Sequence, residues 1–143
     1  VNQKWKEGAR SYLGIMMAGF PNLFMTTGPT GPAALANIIR ISENDVDWIA
    51  ELMVHMEKNG QAAAEVTPEA EQAWMDIVAN LARRSLLLKA KTWYLGANVK
   101  DKPLGLTLFT GGFHKYREHC EAAKQDGYKK ALAFVPGQVE RAA

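Results

Sequence analysis

The chain has 143 residues, of which 48% are hydrophobic and 22% are charged, and its net charge is +2. This length suits one domain or part of one, and the near-balance of charge gives no indication of nucleic-acid binding. A single cysteine, Cys120, excludes an internal disulfide and favours a reducing, cytoplasmic environment. No run of about eighteen apolar residues is present, so we expect no membrane-spanning helix.

Two short apolar runs near the N-terminus predict strands, Ser11 to Met17 and Asn22 to Thr27. Pro21, between them, cannot donate to a sheet ladder and indicates a turn. Both runs are continuously apolar, which is typical of strands buried on both faces. Because two strands alone rarely make a stable sheet, we expect this sheet to continue in chain outside the sequence.

Helices are predicted for most of the remainder. Residues 33–40 have helical propensity, but Ser42, with Glu43 and Asp45 after it, predicts the first helix start, and Asn59-Gly60 predicts its end. Thr67-Pro68-Glu69 predicts a second start. A third helix is expected from Gly111-Gly112 to Gly127, with Phe113, Tyr116, Cys120 and Ala123 on one face. The other segments are a loop at 91–103, a candidate strand at 104–110, an extended piece at 128–135 and a tail.

The residue inventory offers little chemistry of its own. The sequence has no GxGxxG, no GxxxxGK[ST], no CxxC and no HExxH motif. The three histidines, His55, His114 and His119, lie apart, which favours surface positions over a metal site. Cys120 lies on an apolar helix face, which predicts a buried structural thiol rather than a nucleophile.

Two features leave a functional and a structural interpretation open. Gly28-Pro29-Thr30-Gly31-Pro32 follows a predicted strand and precedes a helical segment, where free backbone N–H groups and glycines could admit a flat ligand. An ordinary tight connection would have the same sequence. Trp93, Tyr94 and Asn98 lie on a glycine-bearing loop that could close over a ligand, or the two rings could simply pack on the core.

Taken in order, these motifs resemble one family. Gly19-Phe20-Pro21-Asn22-Leu23-Phe24 and Gly28-Pro29-x-Gly31-Pro32 resemble the last strand of the FAD domain in Baeyer–Villiger monooxygenases, and Tyr12-Leu13-Gly14 is similar to a motif before it. Trp93-Tyr94-x-Gly96-Ala97-Asn98 and Lys102-Pro103 resemble the family's mobile loop, and Gly111-Gly112, Tyr116, Cys120 and Gly127-Tyr128 its closing helix. The resemblance spans residues 5–134.

The resemblance implies an α/β fold class. The chain would be a mainly helical C-terminal fragment of a flavoprotein with two dinucleotide-binding domains, and its few short strands would belong to the FAD-domain sheet. It implies three parts: the end of the FAD-binding domain at 1–40, a C-terminal helical region at 41–135 that includes the closing loop 91–103, and a tail at 136–143.

The implied reaction inserts one oxygen atom of O2 into a ketone to give an ester or lactone, with FAD and NADPH as cofactors. Gly28, Pro29, Thr30, Gly31 and Pro32 would lie near the flavin, and Trp93 and Asn98 would close over the nicotinamide cofactor. Ala33, Ala34, Leu35 and, less directly, Phe109 would shape the ketone pocket.

The family's glycine fingerprints, its FxGxxxHxxxW signature and its active-site arginine are absent, so no catalytic residue is assigned. We expect the fragment alone to be inactive and to hold neither cofactor, with the rest of its own polypeptide as its partner. Apolar surface exposed on a fragment also predicts self-association. The alternatives are a stand-alone helical interaction module and a small-ligand-binding module.

Overall fold

The computed structural model describes residues 1–32, 36–86, 93–95 and 107–137. Within these ranges the elements are helix α1 (Ile38–Lys58), strand β1 (Gln61–Val66), helix α2 (Pro68–Arg83), a short 3-10 helix (Trp93–Leu95), helix α3 (Phe113–Lys124) and strand β2 (Leu132–Pro136). The described part is therefore mainly helical with one small sheet, in agreement with the predicted fold class at that level.

The two predicted N-terminal strands are wrong. Leu13 and Gly14 both have positive φ, and the chain turns back so that Tyr12 and Met16 form an isolated antiparallel bridge. Positive φ at two successive residues is the geometry of a tight hairpin turn. The second run has positive φ at both of its end residues, Asn22 and Thr27, and contains no strand.

Helix α1 begins earlier than predicted. Its N-cap is Asn37, whose side chain accepts hydrogen bonds from the N–H groups of Ile39 and Arg40. Ser42, the predicted cap, lies inside the helix, where its hydroxyl donates to the carbonyl of Ile38. The predicted end is confirmed, because Asn59 is the C-cap and Gly60 follows with positive φ.

The second and third helices are close to their predictions. Thr67 caps α2 by accepting from the N–H of Ala70, and Pro68 occupies the first turn. Gly112 is the N-cap of α3, and the predicted face of that helix is confirmed, with Tyr116, Cys120 and Ala123 buried.

The sheet pairs a strand that the sequence did not suggest, β1, with a strand in the predicted extended piece, β2. β1 pairs antiparallel with β2, with Ala64 opposite Phe134 and Val66 opposite Leu132. The predicted extended piece at 128–135 is thus a strand only from Leu132 onward. This sheet lies outside the segment 1–40, where the predicted strands were placed.

The main core joins both ends of the chain. Its buried side chains come from the N-terminal turn, all three α-helices and both strands, and the largest include Trp48, Trp74, Tyr116 and Phe109. Buried Glu71 of α2 fixes the N-terminal segment by pairing with Lys4 at 3.0 Å and accepting from the N–H of Ala18. The predicted boundary at residue 40 stays a prediction.

Candidate functional site

The Gly28–Pro32 turn packs directly on the N-terminal hairpin turn. A Cβ on Gly14 would lie 2.8 Å from the nitrogen of Gly31, and a Cβ on Gly28 would overlap the carbonyl oxygen of Gly14. Both glycines are therefore required by contact between two segments of this chain. At Gly28 this supports the interpretation as a tight connection, and the approach of a flat ligand to this turn stays a prediction.

A chain of hydrogen bonds anchors the turn from inside the core. The indole N–H of Trp74 donates to Thr30 Oγ1 at 3.1 Å, Thr30 and Ser11 share a short hydroxyl–hydroxyl bond, and Ser11 Oγ donates to the carbonyl of Pro29 at 2.7 Å. Ser11 Oγ also accepts from the N–H of Gly14 at 3.0 Å. Thr30 and Ser11 are both 0% exposed, so these bonds satisfy polar groups that water cannot reach.

The segment before α3 holds the other side of the turn. Thr30 N–H donates to the carbonyl of Thr107 at 2.7 Å, and Phe109 N–H donates to the carbonyl of Gly31 at 2.8 Å. The candidate strand 104–110 is not a strand over its described residues, 107–110. Its backbone nevertheless fixes the turn.

These bonds limit what the turn can offer a ligand. Two of its five residues are prolines, so its N–H groups belong to Gly28, Thr30 and Gly31, and Gly31 N–H already donates to the carbonyl of Gly28. Thr30 N–H is engaged as well, so among the described residues only the N–H of Gly28 in this turn shows no hydrogen-bond acceptor. Helix α1 starts only at Ile38. These residues do not by themselves fit a whole dinucleotide cofactor, and their place beside a flavin stays a prediction.

Phe109 is completely buried. Its ring stacks on Trp74, with the ring centroids 5.1 Å apart and the planes at 12°, and Tyr116 and His119 also contact it. Contact between this ring and a ketone would require the ring to leave the stack. Its assignment to the substrate pocket stays a prediction.

The predicted closing loop is described only at the 3-10 helix containing Trp93. There the carbonyl of Tyr94 accepts from the N–H of Thr107 at 3.0 Å, and Tyr94 packs against a small cluster of Ala82, Leu95 and Leu108. For Tyr94, this supports packing on the core. Asn98, Ala33, Ala34 and Leu35 lie outside the described residues.

Asp45 is the residue of interest that the sequence analysis missed. It was predicted as a first-turn acid, yet it lies on the buried face of α1 and is 1% exposed. Its Oδ2 accepts from the N–H of Thr27 at 2.9 Å, and its Oδ1 lies 2.6 Å from the hydroxyl oxygen of Tyr116. Its helical spacing could have revealed this, because Asp45 falls in line with the apolar residues of the buried face of α1: Ile41, Trp48, Leu52 and Met56.

Cys120 is buried, as predicted, at 1% exposure. Burial raises the pKa of its thiol to about 12, which keeps it protonated and unreactive at neutral pH. Burial also lowers the pKa of His119. Within the described ranges, no group of three or more His, Cys, Asp or Glu side chains could hold a metal, and no helix is long and apolar enough to cross a membrane.

No protein-family model matches the chain. Among curated proteins, a Baeyer–Villiger monooxygenase from Pseudooceanicola batsensis is 39% identical over 92% of this chain and 24% of its own length. A cyclohexanone 1,2-monooxygenase from an Acinetobacter species is 35% identical over 87% of this chain and 23% of its own length.

Solved structures give the same result. An oxidized steroid monooxygenase bound to NADP aligns with a TM-score of 0.85 and 40% identity, over 95% of this chain and 24% of that protein. A cyclohexanone monooxygenase from Rhodococcus sp. Phi1, bound to NADP+, aligns with a TM-score of 0.86 and 33% identity, over 95% of this chain and 25% of its own. The chain spans about a quarter of the length of these proteins. In sequence and in fold, it is therefore a homologue of one part of the Baeyer–Villiger and cycloketone monooxygenases.

Proposed function

We propose that this chain is the C-terminal part of an FAD- and NADPH-dependent monooxygenase that inserts one oxygen atom of O2 into ketones, giving esters or lactones. The observation that carries the proposal is the 39% identity to a Baeyer–Villiger monooxygenase over 92% of the chain. Since the match covers 24% of that relative, the activity is assigned to a longer polypeptide, and the fragment alone is inactive.

The turn would serve as a rigid wall beside the flavin. Gly28 and Pro29 are half-buried, whereas Thr30, Gly31 and Pro32 are buried. Gly28 and Pro29 would therefore contact the ring, and the three buried residues would anchor them. When bound, the flavin supplies the electrons that activate O2, after reduction by the nicotinamide cofactor. The contribution of this chain is to fix the ring position and to keep water from that side.

The remaining assigned residues would complete the site around this wall. Trp93 and Asn98 would close over the nicotinamide cofactor, and Ala33, Ala34, Leu35 and Phe109 would shape the ketone pocket. Thr30 and Gly31 bond to Thr107 and Phe109 through their backbones. A substitution that moves the backbone of the segment before α3 would therefore also move the turn beside the flavin.

The rest of the polypeptide would cover the apolar outer face of α1. Ile39, Val46 and Met53 are 66%, 51% and 58% exposed there. Without that cover, the fragment would self-associate through this face. We assign the enzyme to the cytoplasm, in keeping with a single cysteine that is buried as a free thiol.

The proposal is tested on the product of the whole reading frame that encodes this chain. We expect that product to bind FAD and to oxidise NADPH faster when a cyclic ketone is added. Under 18O2, the ester or lactone should contain one 18O atom by mass spectrometry. If the product of the whole reading frame contained no flavin, or if the ester or lactone formed under 18O2 contained no 18O, the assignment would be contradicted.

The inactivity of the fragment has a separate test. The purified 143-residue chain is mixed with FAD and passed over a desalting column, and its absorbance is read in the flavin region. We expect no retained flavin, because the turn supplies a single wall. Retention of one FAD per chain would show that the fragment is a cofactor-binding module by itself.

A further inference from the structure

The hydroxyl of Tyr116 faces two acceptors but carries one hydrogen. Its oxygen lies 2.9 Å from the carbonyl oxygen of Leu13 and 2.6 Å from Oδ1 of Asp45. A carbonyl oxygen can only accept. If the tyrosine hydrogen goes to Leu13, the hydrogen in the shorter contact must come from the carboxyl of Asp45. A distance of 2.6 Å is normal for a carboxylic O–H donating to a hydroxyl.

The surroundings of Asp45 favour its neutral form. Four neighbours interact electrostatically with Asp45 or form hydrogen bonds with it: Tyr116 and Cys120 of α3, the loop residue Thr27, and Asn44 of its own helix. None of these is a cation, and no ion pair to Asp45 is present in the part of the chain that the structure describes. Burial raises the pKa of the Asp45 carboxyl, and hydrogen bonds from Tyr116, Thr27 and Asn44 oppose that rise.

The carboxyl joins the two segments that form the candidate site. Its Oδ2 accepts a hydrogen bond from the N–H of Thr27, the residue before Gly28. Its Oδ1 contacts the hydroxyl of Tyr116, which in turn contacts the carbonyl of Leu13, the residue before Gly14. Since Gly28 and Gly31 pack on Gly14, one side chain of α1 links both sides of that contact.

We propose that Asp45 is a positioning residue that acts as a neutral carboxylic acid at neutral pH, donating from Oδ1 to Tyr116 while Tyr116 donates to Leu13. The pair holds the hairpin turn and the Gly28–Pro32 turn against each other. This inference concerns the chain alone and does not depend on whether a flavin binds.

A pH dependence follows, with a defined sign. An aspartate in the unfolded chain loses its proton at about pH 3.9. Asp45 retains its proton in the folded chain above that pH, so the folded state binds the extra proton. The folding equilibrium constant contributed by this group therefore falls as pH rises, by at most about tenfold per pH unit, until the folded chain also ionises. Lowering the pH toward 4 strengthens folding at this site.

The direct test is the carboxyl signal of Asp45 in the unmodified chain, followed by 13C NMR during a pH titration. We expect the signal of a protonated carboxyl at pH 7. An Asp45 signal that is already that of an ionised carboxylate at pH 7 would overturn the proposal.

Substitution gives a second readout. Asp45→Asn keeps a donor toward Tyr116 and an acceptor for Thr27, so the Thr27 amide resonance should keep its position. The free energy of unfolding, measured in urea at several pH values, should lose the part of its pH dependence that one proton contributes. Asp45→Ala should move that resonance. Asp47→Asn, the matched control, should leave the Thr27 resonance unchanged and the excess slope in place. An unchanged slope in Asp45→Asn would refute the proton assignment.

Discussion

The Gly28–Pro32 turn and the outer face of α1 are opposite kinds of surface in the same small chain. The turn is held by Ser11, Thr30 and Trp74 and by backbone bonds to the segment before α3. The outer face of α1 exposes large apolar side chains. The first region is completed by this chain's own residues, whereas the second is left uncovered by them.

This difference separates contacts that the described residues complete among themselves from a surface that they leave exposed. Local contacts between residues 11–16, 28–32 and 107–109 are enough to fix the candidate flavin wall. The outer face of α1, in contrast, leaves large apolar side chains exposed. Substitutions in the first region should therefore change folding, and substitutions in the second should change association.

The largest effect is expected from Gly14→Ala. The added Cβ would lie 2.8 Å from the Gly31 nitrogen and 2.9 Å from its Cα, and Gly14 has a φ of +74°. Both contacts are with backbone, so the two turns must separate. We expect the free energy of unfolding, measured by urea denaturation, to fall by about 3 kcal/mol or more.

Gly19→Ala is the matched control, because Gly19 has a φ of +86° and no atom within 4 Å of the added Cβ. It should cost only the backbone strain, about 1 kcal/mol. Equal losses in the two variants would show that the contact between the turns contributes nothing beyond the left-handed conformation.

Thr30→Val should have an intermediate effect. Valine keeps the shape of threonine but leaves the indole N–H of Trp74 without its acceptor inside the core. A buried donor that loses its partner costs about 1–3 kcal/mol. We expect that loss in urea unfolding, together with a change in tryptophan fluorescence. Thr26→Val, at an exposed position, should stay within about 0.5 kcal/mol, and a similar small loss for Thr30→Val would mean that Trp74 finds another acceptor.

The sequence predicted those elements whose signals are local. Thr67-Pro68 and Asn59-Gly60 mark helix ends through their own side chains or backbone, and each was predicted correctly. The buried face of α3 followed from helical spacing alone. Strand β1, in contrast, is rich in alanine and forms because β2, about 70 residues later, pairs with it.

The sequence did not reveal how the segments of the candidate site are built, and its role stays a prediction. A continuous apolar run has the same composition as a buried strand or a buried tight turn, so Ser11–Met17 could not reveal the positive φ at Leu13 and Gly14. The sequence of the Gly28–Pro32 turn left ligand access and a tight connection both open, because the segment that requires Gly28 lies fourteen residues away in sequence. Asp45 was placed correctly on a helix but in the wrong turn.

Substitutions on the outer face of α1 are expected to have the smallest effect on folding and the clearest effect on association. Ile39, Val46 and Met53 lie at intervals of seven residues, two helical turns, and so share one side of the helix. The double substitution Val46→Glu with Met53→Glu places two charges on that side. We expect it to shift the chain toward monomer in sedimentation velocity, with the free energy of unfolding changed by about 0.5 kcal/mol or less.

Leu86→Glu provides the control for this variant. Leu86 is 79% exposed but follows α2 and lies outside the α1 face, so the same chemical change there should leave association unaltered. If Leu86→Glu lowered association equally, the effect would come from net charge and not from a defined surface. If the unmodified chain were monomeric throughout, the exposed face of α1 would not be an association surface. The exposure of apolar side chains on α1, in contrast to the anchored Gly28–Pro32 turn, would then need an explanation other than the absence of a contacting surface.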